Sequence, residues 1–193
     1  MIVAAAGAPG DPRKMSHGKI VLPDNVWFLG TANNDDSTFA ISDKVYDRAM
    51  IMNLNTRAEP FRVDHDTHSI HISTDYFNQL IEKARKEISL SSEGRRKISE
   101  LDNYLMSSFH VTFGNRIMMQ IDKFVPAYVA CGGKEDEALD DIIAKKILRK
   151  LESQNPIYVR SHSEELIAKL DEIFGQDVMS SCIDYIHILA NNG

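Results

Sequence analysis

No run of apolar residues in this 193-residue sequence approaches the ~18 needed to cross a bilayer as a helix, so no transmembrane segment is expected. Met1 to Pro9 is small and apolar, but it has neither the charged start nor the long apolar run of a secretory signal. Cysteine is scarce. Cys131 and Cys182 stand alone with no Cys-x-x-Cys pair, which points to a reducing cytoplasm and to buried free thiols. Positive charge is not in excess either. A formal net charge of −6 argues against a wholly electrostatic nucleic-acid binder, though not against a local basic patch. Internal repeats and low-complexity runs are absent. So is a phosphate loop, Gly-x-x-x-x-Gly-Lys-Ser/Thr, whose glycine amides wrap phosphates and whose hydroxyl meets magnesium. The nearest stretch, Gly7 to Ser16, follows Gly10 with Asp-Pro-Arg-Lys, and Pro12 removes one of the amide donors. No apolar strand ending in Asp-Glu precedes Lys19.

What is present is organised around Lys19 to Leu54. Val26 to Leu29 is a short apolar run between Pro23-Asp24-Asn25 and Gly30, the pattern of a strand buried on both faces. Ala49 to Leu54 is a second such run. A polar turn from Asn33 to Ser37 and a short helix over Ser42 to Arg48 lie between them. Strand, turn, helix, strand is the order of a βαβ unit in a parallel sheet, with ligands beyond the carboxyl ends of the strands, where Thr31 and Asn33 would lie.

The run Pro23 to Asn33 resembles the fourth core strand of AAA+ ATPases, closest to the McrB-like branch. The resemblance extends from about Lys19 to Leu151. In that family the strand ends in a polar sensor residue, matched by Asn33. An arginine finger precedes the next strand, matched by Arg48, although the family often has two arginines and an aromatic where this chain has Asp47-Arg48-Ala49-Met50. Phe113-Gly114-Asn115-Arg116 resembles the start of the sensor 2 helix, with Arg116 as its arginine.

The resemblance implies the carboxyl-terminal part of such an ATPase. A split protein, a misplaced start and a cut chain all fit. Catalytic roles fall to Asn33, Arg48 and Arg116, and nucleotide contact to Thr31, Asn33 and Arg116. ATP or GTP with magnesium would act in the complete protein, and this chain alone would hold none. The partners implied are the N-terminal core or neighbouring subunits of a homo-oligomer, hexameric in this family, with no membrane. The expected organisation is a flexible tail (1–18), a partial core (19–60), a helical lid (61–155) and a helical extension (156–193). The fold class is mostly α, a lid-type bundle with a small parallel β remnant of an α/β core.

The helical half is legible from its periodicity. Ser73 or Thr74 caps a helix through Leu90 with Phe77, Leu80, Ile81, Ala84 and Ile88 as its stripe. Ser91-Ser92 opens a second, with Ile98, Leu101, Leu105 and Phe109 inward. Gly114 precedes a third, from Asn115 to about Ala130, lined by Ile117, Ile121, Phe124 and Val125, kinked at Pro126 and ended by Cys131-Gly132-Gly133. A fourth, from Glu135 to Glu152, sets Leu139, Ile142, Ile143, Ile147 and Leu151 opposite Lys145, Lys146, Arg149 and Lys150. Asn155-Pro156 marks a boundary. Ser161 with Glu164 forms a capping box for a fifth, ending at Gly175. Asp177 caps a sixth, with Met179, Ile183, Ile186 and Leu189 inward. Short loops between such helices make a compact bundle.

Each candidate has a plainer alternative. Asn33 sits in Asn-Asn-Asp-Asp, which is strong turn chemistry. Arg48 could pair at the surface with Asp43 or Asp47, and Arg116 could be a solvated first-turn residue. His65, His68 and His71 are spaced to bind a divalent metal on a helix, but Thr67, Ile70 and Ile72 favour extended chain, where His68 faces away. Lys83, Arg85, Lys86, Arg95, Arg96 and Lys97 could meet nucleic acid, yet interleaved acids favour a solvated helix face. The competing functional readings are a non-catalytic helical interaction module and a metal-dependent protein.

Overall fold

A computed structural model describes residues 2–3, 15–16, 19–20, 22, 25–31, 48–52, 54, 59–60, 62 and 68–191. The chain divides into two units, Met1–Phe39 with Ser69–Asn78, and Ala40–His68 with Gln79–Gly193. The described residues are mostly helical.

In the first unit, β1 (Ile2–Val3), β2 (Met15–Ser16) and β3 (Lys19–Ile20) pair antiparallel in the order β1-β3-β2, with Ile2 opposite Ile20 and Met15 opposite Ile20. The expected parallel remnant is not observed among the described residues. Val26 to Leu29 forms no strand, and Trp27 is 72% and Leu29 94% exposed. A two-face-buried strand needs a hydrogen-bonding neighbour and apolar cover on each side. Among the described residues this run has neither. Within the described part of this unit, Trp27 stands edge-on to Phe77, with centroids 6.3 Å apart. In the second unit, the described residues of Ala49 to Leu54 likewise form no strand, and Met50, Met52 and Leu54 are exposed. The polar turn and the short helix over Ser42 to Asp47 lie outside the described residues.

The helices are α1 (Thr74–Glu87), α2 (Ser92–Phe109), α3 (Asn115–Ala130), α4 (Glu135–Ile142), α5 (Pro156–Ser161), α6 (Ser163–Phe174) and α7 (Ser180–Asn191). One buried cluster joins α2 to α7. It takes Ile98, Leu101, Leu105 and Phe109 from α2, Ile117, Ile121 and Val125 from α3, and Leu139 and Ile142 from α4. Val159, Leu166, Leu170, Cys182 and Ile186 from α5 to α7 belong to the same cluster, so the segment after Asn155 shares the core of the segment before it. α3 runs through Pro126 to Ala130 without interruption, and the proline is itself buried. α1 departs from expectation. Of its stripe only Ala84 is buried, while Phe77 and Leu80 are exposed, because α1 adds nothing to that cluster.

Local chemistry sets the helix ends. Ser91 Oγ accepts from Gly94 N–H at 2.9 Å, while Glu135, at the start of α4, accepts from Ser91 N–H at 2.8 Å and from its hydroxyl at 2.5 Å. A Cβ on Gly94 would lie 2.5 Å from Glu135 Oε1, so the close approach of the α2 start to α4 favours glycine. His110 closes α2 in the left-handed region at φ 53°. Gly132, at φ 95°, follows α3 as the glycine pair predicts.

Two expected caps are replaced. Ser161 does not cap α6. Asn155-Pro156 starts the additional helix α5, with Asn155 Oδ1 accepting from Ile157 N–H at 3.0 Å, and Ser161 instead donates to the Tyr158 carbonyl. Asp177 does not cap α7 either. It lies in a turn at φ 59°, and the cap comes from Asp140 on α4, whose carboxylate accepts from Ser181 and Cys182 N–H, both at 2.9 Å.

Past Ile142 the α4 chain changes its hydrogen-bond period. Ile143–Ile147 forms a π turn, with Leu148 N–H donating to the Ile143 carbonyl, and Leu148–Ser153 tightens into 3₁₀. The apolar stripe of this run is buried as expected, but Lys146 is buried with it rather than facing away. The wider π turn carries Ile143, Ala144, Lys146 and Ile147 inward together.

Candidate functional site

Among the described residues, the start of α3 carries the one predicted site residue that stands on a regular element. Gly114, at φ −94° and ψ −176°, precedes the helix without a side-chain cap, and no acidic residue occupies the first turn. The first amides of a helix lack intrahelical acceptors, and the helix dipole is positive there. Arg116, in that first turn, is exposed. A terminus of this kind suits an anion.

The approach to that terminus is held from two sides. Val111 and Phe113 are buried anchors. The Asp102 carboxylate accepts from the Thr112 hydroxyl at 3.0 Å and from Phe113 N–H at 3.3 Å. Lys150 donates to the Thr112 carbonyl at 3.0 Å. Gly114, Asn115 and Arg116 therefore project from a loop tied to both α2 and the 3₁₀ segment.

The other predicted residues are placed less fully. Thr31 is exposed at the end of the 26–31 stretch, in the first unit. Asn33 lies outside the described residues. Arg48 is exposed in a turn of the second unit. The next residue along is held, since buried Lys146 donates its ammonium to the Ala49 carbonyl. Periodicity misassigned this contact because Lys146 was counted with its charged neighbours. The available signal was its position four residues after Ile142, inside the apolar stripe. Asp140 carries the same signal, three residues before Ile143.

Neither alternative constellation assembles among the described residues. Among the described residues no three His, Cys, Asp or Glu side chains could hold a metal ion. His68 and His71 are exposed on irregular chain, and His65 lies outside the described residues. The basic cluster is largely ion-paired. Arg85 meets Glu82 at 2.7 Å, Arg95 meets Asp122 at 2.8 Å, Arg96 meets Glu93 at 2.7 Å, and Lys97 meets Asp136 at 3.2 Å. Hydrogen bonding and charge from Arg96 hold the exposed Glu93 carboxyl below its usual range. Phosphates would have to displace these carboxylates.

The two thiols differ sharply. Cys131 is exposed, whereas Cys182 is buried and donates weakly to the Asp140 carbonyl at 3.4 Å. Burial first, and then the charge of Asp140, push the Cys182 thiol well above its usual value, so it is no nucleophile near neutral pH. No helix among the described residues is long and apolar enough to cross a membrane.

No curated protein and no solved structure matches the chain. A family model described as "Domain of unknown function (DUF8727)" matches residues 65–191, which takes in every helix described above and the Arg116 terminus. The chain belongs to that family.

Proposed function

We propose that this chain supplies the carboxyl-terminal elements of a cytoplasmic AAA+ nucleoside triphosphatase, with Asn33 as sensor, Arg48 as arginine finger, and Arg116 on the helical lid as the second sensor. The observation that carries the reading is the Arg116 terminus. The residues that resemble a sensor helix form a helix start without a side-chain cap and with a solvent-exposed arginine in its first turn, on a helical bundle. Arg116 and the first amides of α3 would meet the phosphates of ATP or GTP, and Thr31 and Asn33 keep the nucleotide contacts that the resemblance assigns them. Nothing among the described residues fits magnesium, and the sequence lacks both the phosphate loop and the acidic strand, so no step here is assigned to the metal. Those parts belong to the partner, either an AAA+ core or a neighbouring subunit.

The test has two stages. The chain alone should bind neither ATP nor GTP, with or without magnesium, at micromolar concentration by calorimetry. Combined with the product encoded immediately upstream, it should give nucleotide hydrolysis. Arg48→Ala should slow that turnover while binding stays intact, since a finger stabilises charge that develops mainly in the transition state. Mixing Arg48→Ala subunits with subunits unable to bind nucleotide should restore activity, and Asn33→Ala in the same mixture should not. Nucleotide binding by the chain alone, or identical behaviour of the two mixtures, defeats the reading.

A second reading has its own observation. Trp27, Phe28 and Leu29 are largely exposed, as a non-catalytic module that docks another protein would present them. A stable complex that never hydrolyses nucleotide favours this alternative.

A further inference from the structure

We propose that Lys146 is a positioning residue for Arg48, holding in place the turn that presents the guanidinium. The proposal rests on the finger reading of Arg48 for its consequence, but the hold on the turn stands on geometry alone. Lys146 is 7% exposed, so its ammonium has given up most of its water. A buried ammonium is costly unless it donates to strong acceptors. One acceptor is the carbonyl of Ala49, the residue next to Arg48 and 97 positions away in sequence.

The backbone around Lys146 is built for this reach. The lysine sits in the π turn Ile143–Ile147, between the α and 3₁₀ parts of one continuous run. A π turn holds one residue more than an α turn, and Lys146 lies within the apolar stripe that this run turns to the core. Ile143 and Ile147, on either side, are fully buried and fix the turn in the core. The stretch 48–52 has no regular secondary structure of its own to hold it. The contact therefore joins a buried turn of the bundle to a segment without regular structure.

Amide hydrogen exchange on the full chain tests the hold directly. Lys146→Met keeps the stem and removes the donor. Amides of 49–52 should then exchange on the order of tenfold faster, as expected for loss of a hydrogen bond to a charged group. Amides of α2 and α6 should keep their protection. Lys146→Arg, which still donates, should restore slow exchange at 49–52. Unchanged exchange at 49–52 in a folded Lys146→Met chain overturns the proposal. If that variant fails to fold, the unsubstituted chain decides by nuclear magnetic resonance. A slowly exchanging Lys146 ammonium signal with an Overhauser contact to the Ala49 methyl supports the hold, and the lack of one refutes it.

Turnover of the reconstituted complex separates this proposal from the reading beneath it. Lys146→Met should lower kcat several-fold with KM unchanged, following Arg48→Ala, and Lys146→Arg should recover it. A loosened turn with Arg48→Ala fully active sinks the finger and leaves the hold intact. A loosened turn with Arg48→Ala slow and Lys146→Met fast refutes positioning.

Discussion

His110 takes the left-handed conformation that a helix end reserves for glycine, at φ 53°, with its N–H donating to the Leu105 carbonyl. A Cβ makes that conformation unfavourable. His110→Gly should therefore raise stability by up to about 1 kcal/mol, partly offset by the greater freedom of glycine in the unfolded chain, and urea unfolding measures it. The cysteines give a second residue-scale outcome. One equivalent of a maleimide should label Cys131 rapidly in the folded chain, and Cys182 should react only on unfolding. Because the folded pKa of Cys182 is raised, its contribution to stability is complete below the unfolded thiol value. That contribution is lost as pH climbs through and above about 8.5. Cys182→Ala should flatten that alkaline decline in a urea series run at increasing pH.

At the scale of elements, periodicity and punctuation located α2, α3 and the run from Glu135 with little error. Ser91, Gly114 and Gly132-Gly133 are chemical stops whose effect is local. What escaped was set from a distance. Asp140 reaches across 41 positions to cap α7, so the local candidate, Asp177, was free to form a turn. Asn155-Pro156 is a helix start as readily as a boundary, and reading only the second hid α5. Asp140→Ala should cost on the order of 2–3 kcal/mol, because it strands two amides, one of them buried. Asp140→Asn, which keeps one acceptor, should cost less. Thermal and urea unfolding of the pair check the order.

At the scale of the whole molecule, residues divide into those inside the common cluster and those outside it. Leu139 and Ile143 are fully buried within it, so Leu139→Ala or Ile143→Ala should each cost ~2–5 kcal/mol. Leu80→Ala, at an exposed position on α1, should cost under about 1 kcal/mol. Equal losses in chemical denaturation would contradict the boundary drawn by burial. The bundle was legible because each helix writes its buried face into a spacing of three and four residues. The run Val26 to Leu29 misled for a related reason. Apolar pattern reports what a segment can bury, whereas a strand also needs neighbours, and those lie beyond its own sequence. For the candidate site, the helix start after Gly114 was readable, but the contacts that hold its approach and the Arg48 turn were not. Asp102, Lys150 and Lys146 are ordinary charged helix residues until the tertiary fold brings their acceptors close.

The Asp140 cap also has a consequence in time. The amides at the start of α7 gain their acceptors only after α4 has formed and docked. Contacts of long sequence separation tend to be made late, after their loop has closed. Such a contact is expected to be absent from the transition state, so that weakening it leaves the folding rate alone and speeds unfolding. In stopped-flow measurements Asp140→Asn should move the unfolding arm of the chevron upward and leave the refolding arm in place. That outcome would make α7 the first helix to let go, with the lifetime of the native bundle governed at a carboxylate 41 residues upstream of the amide it caps.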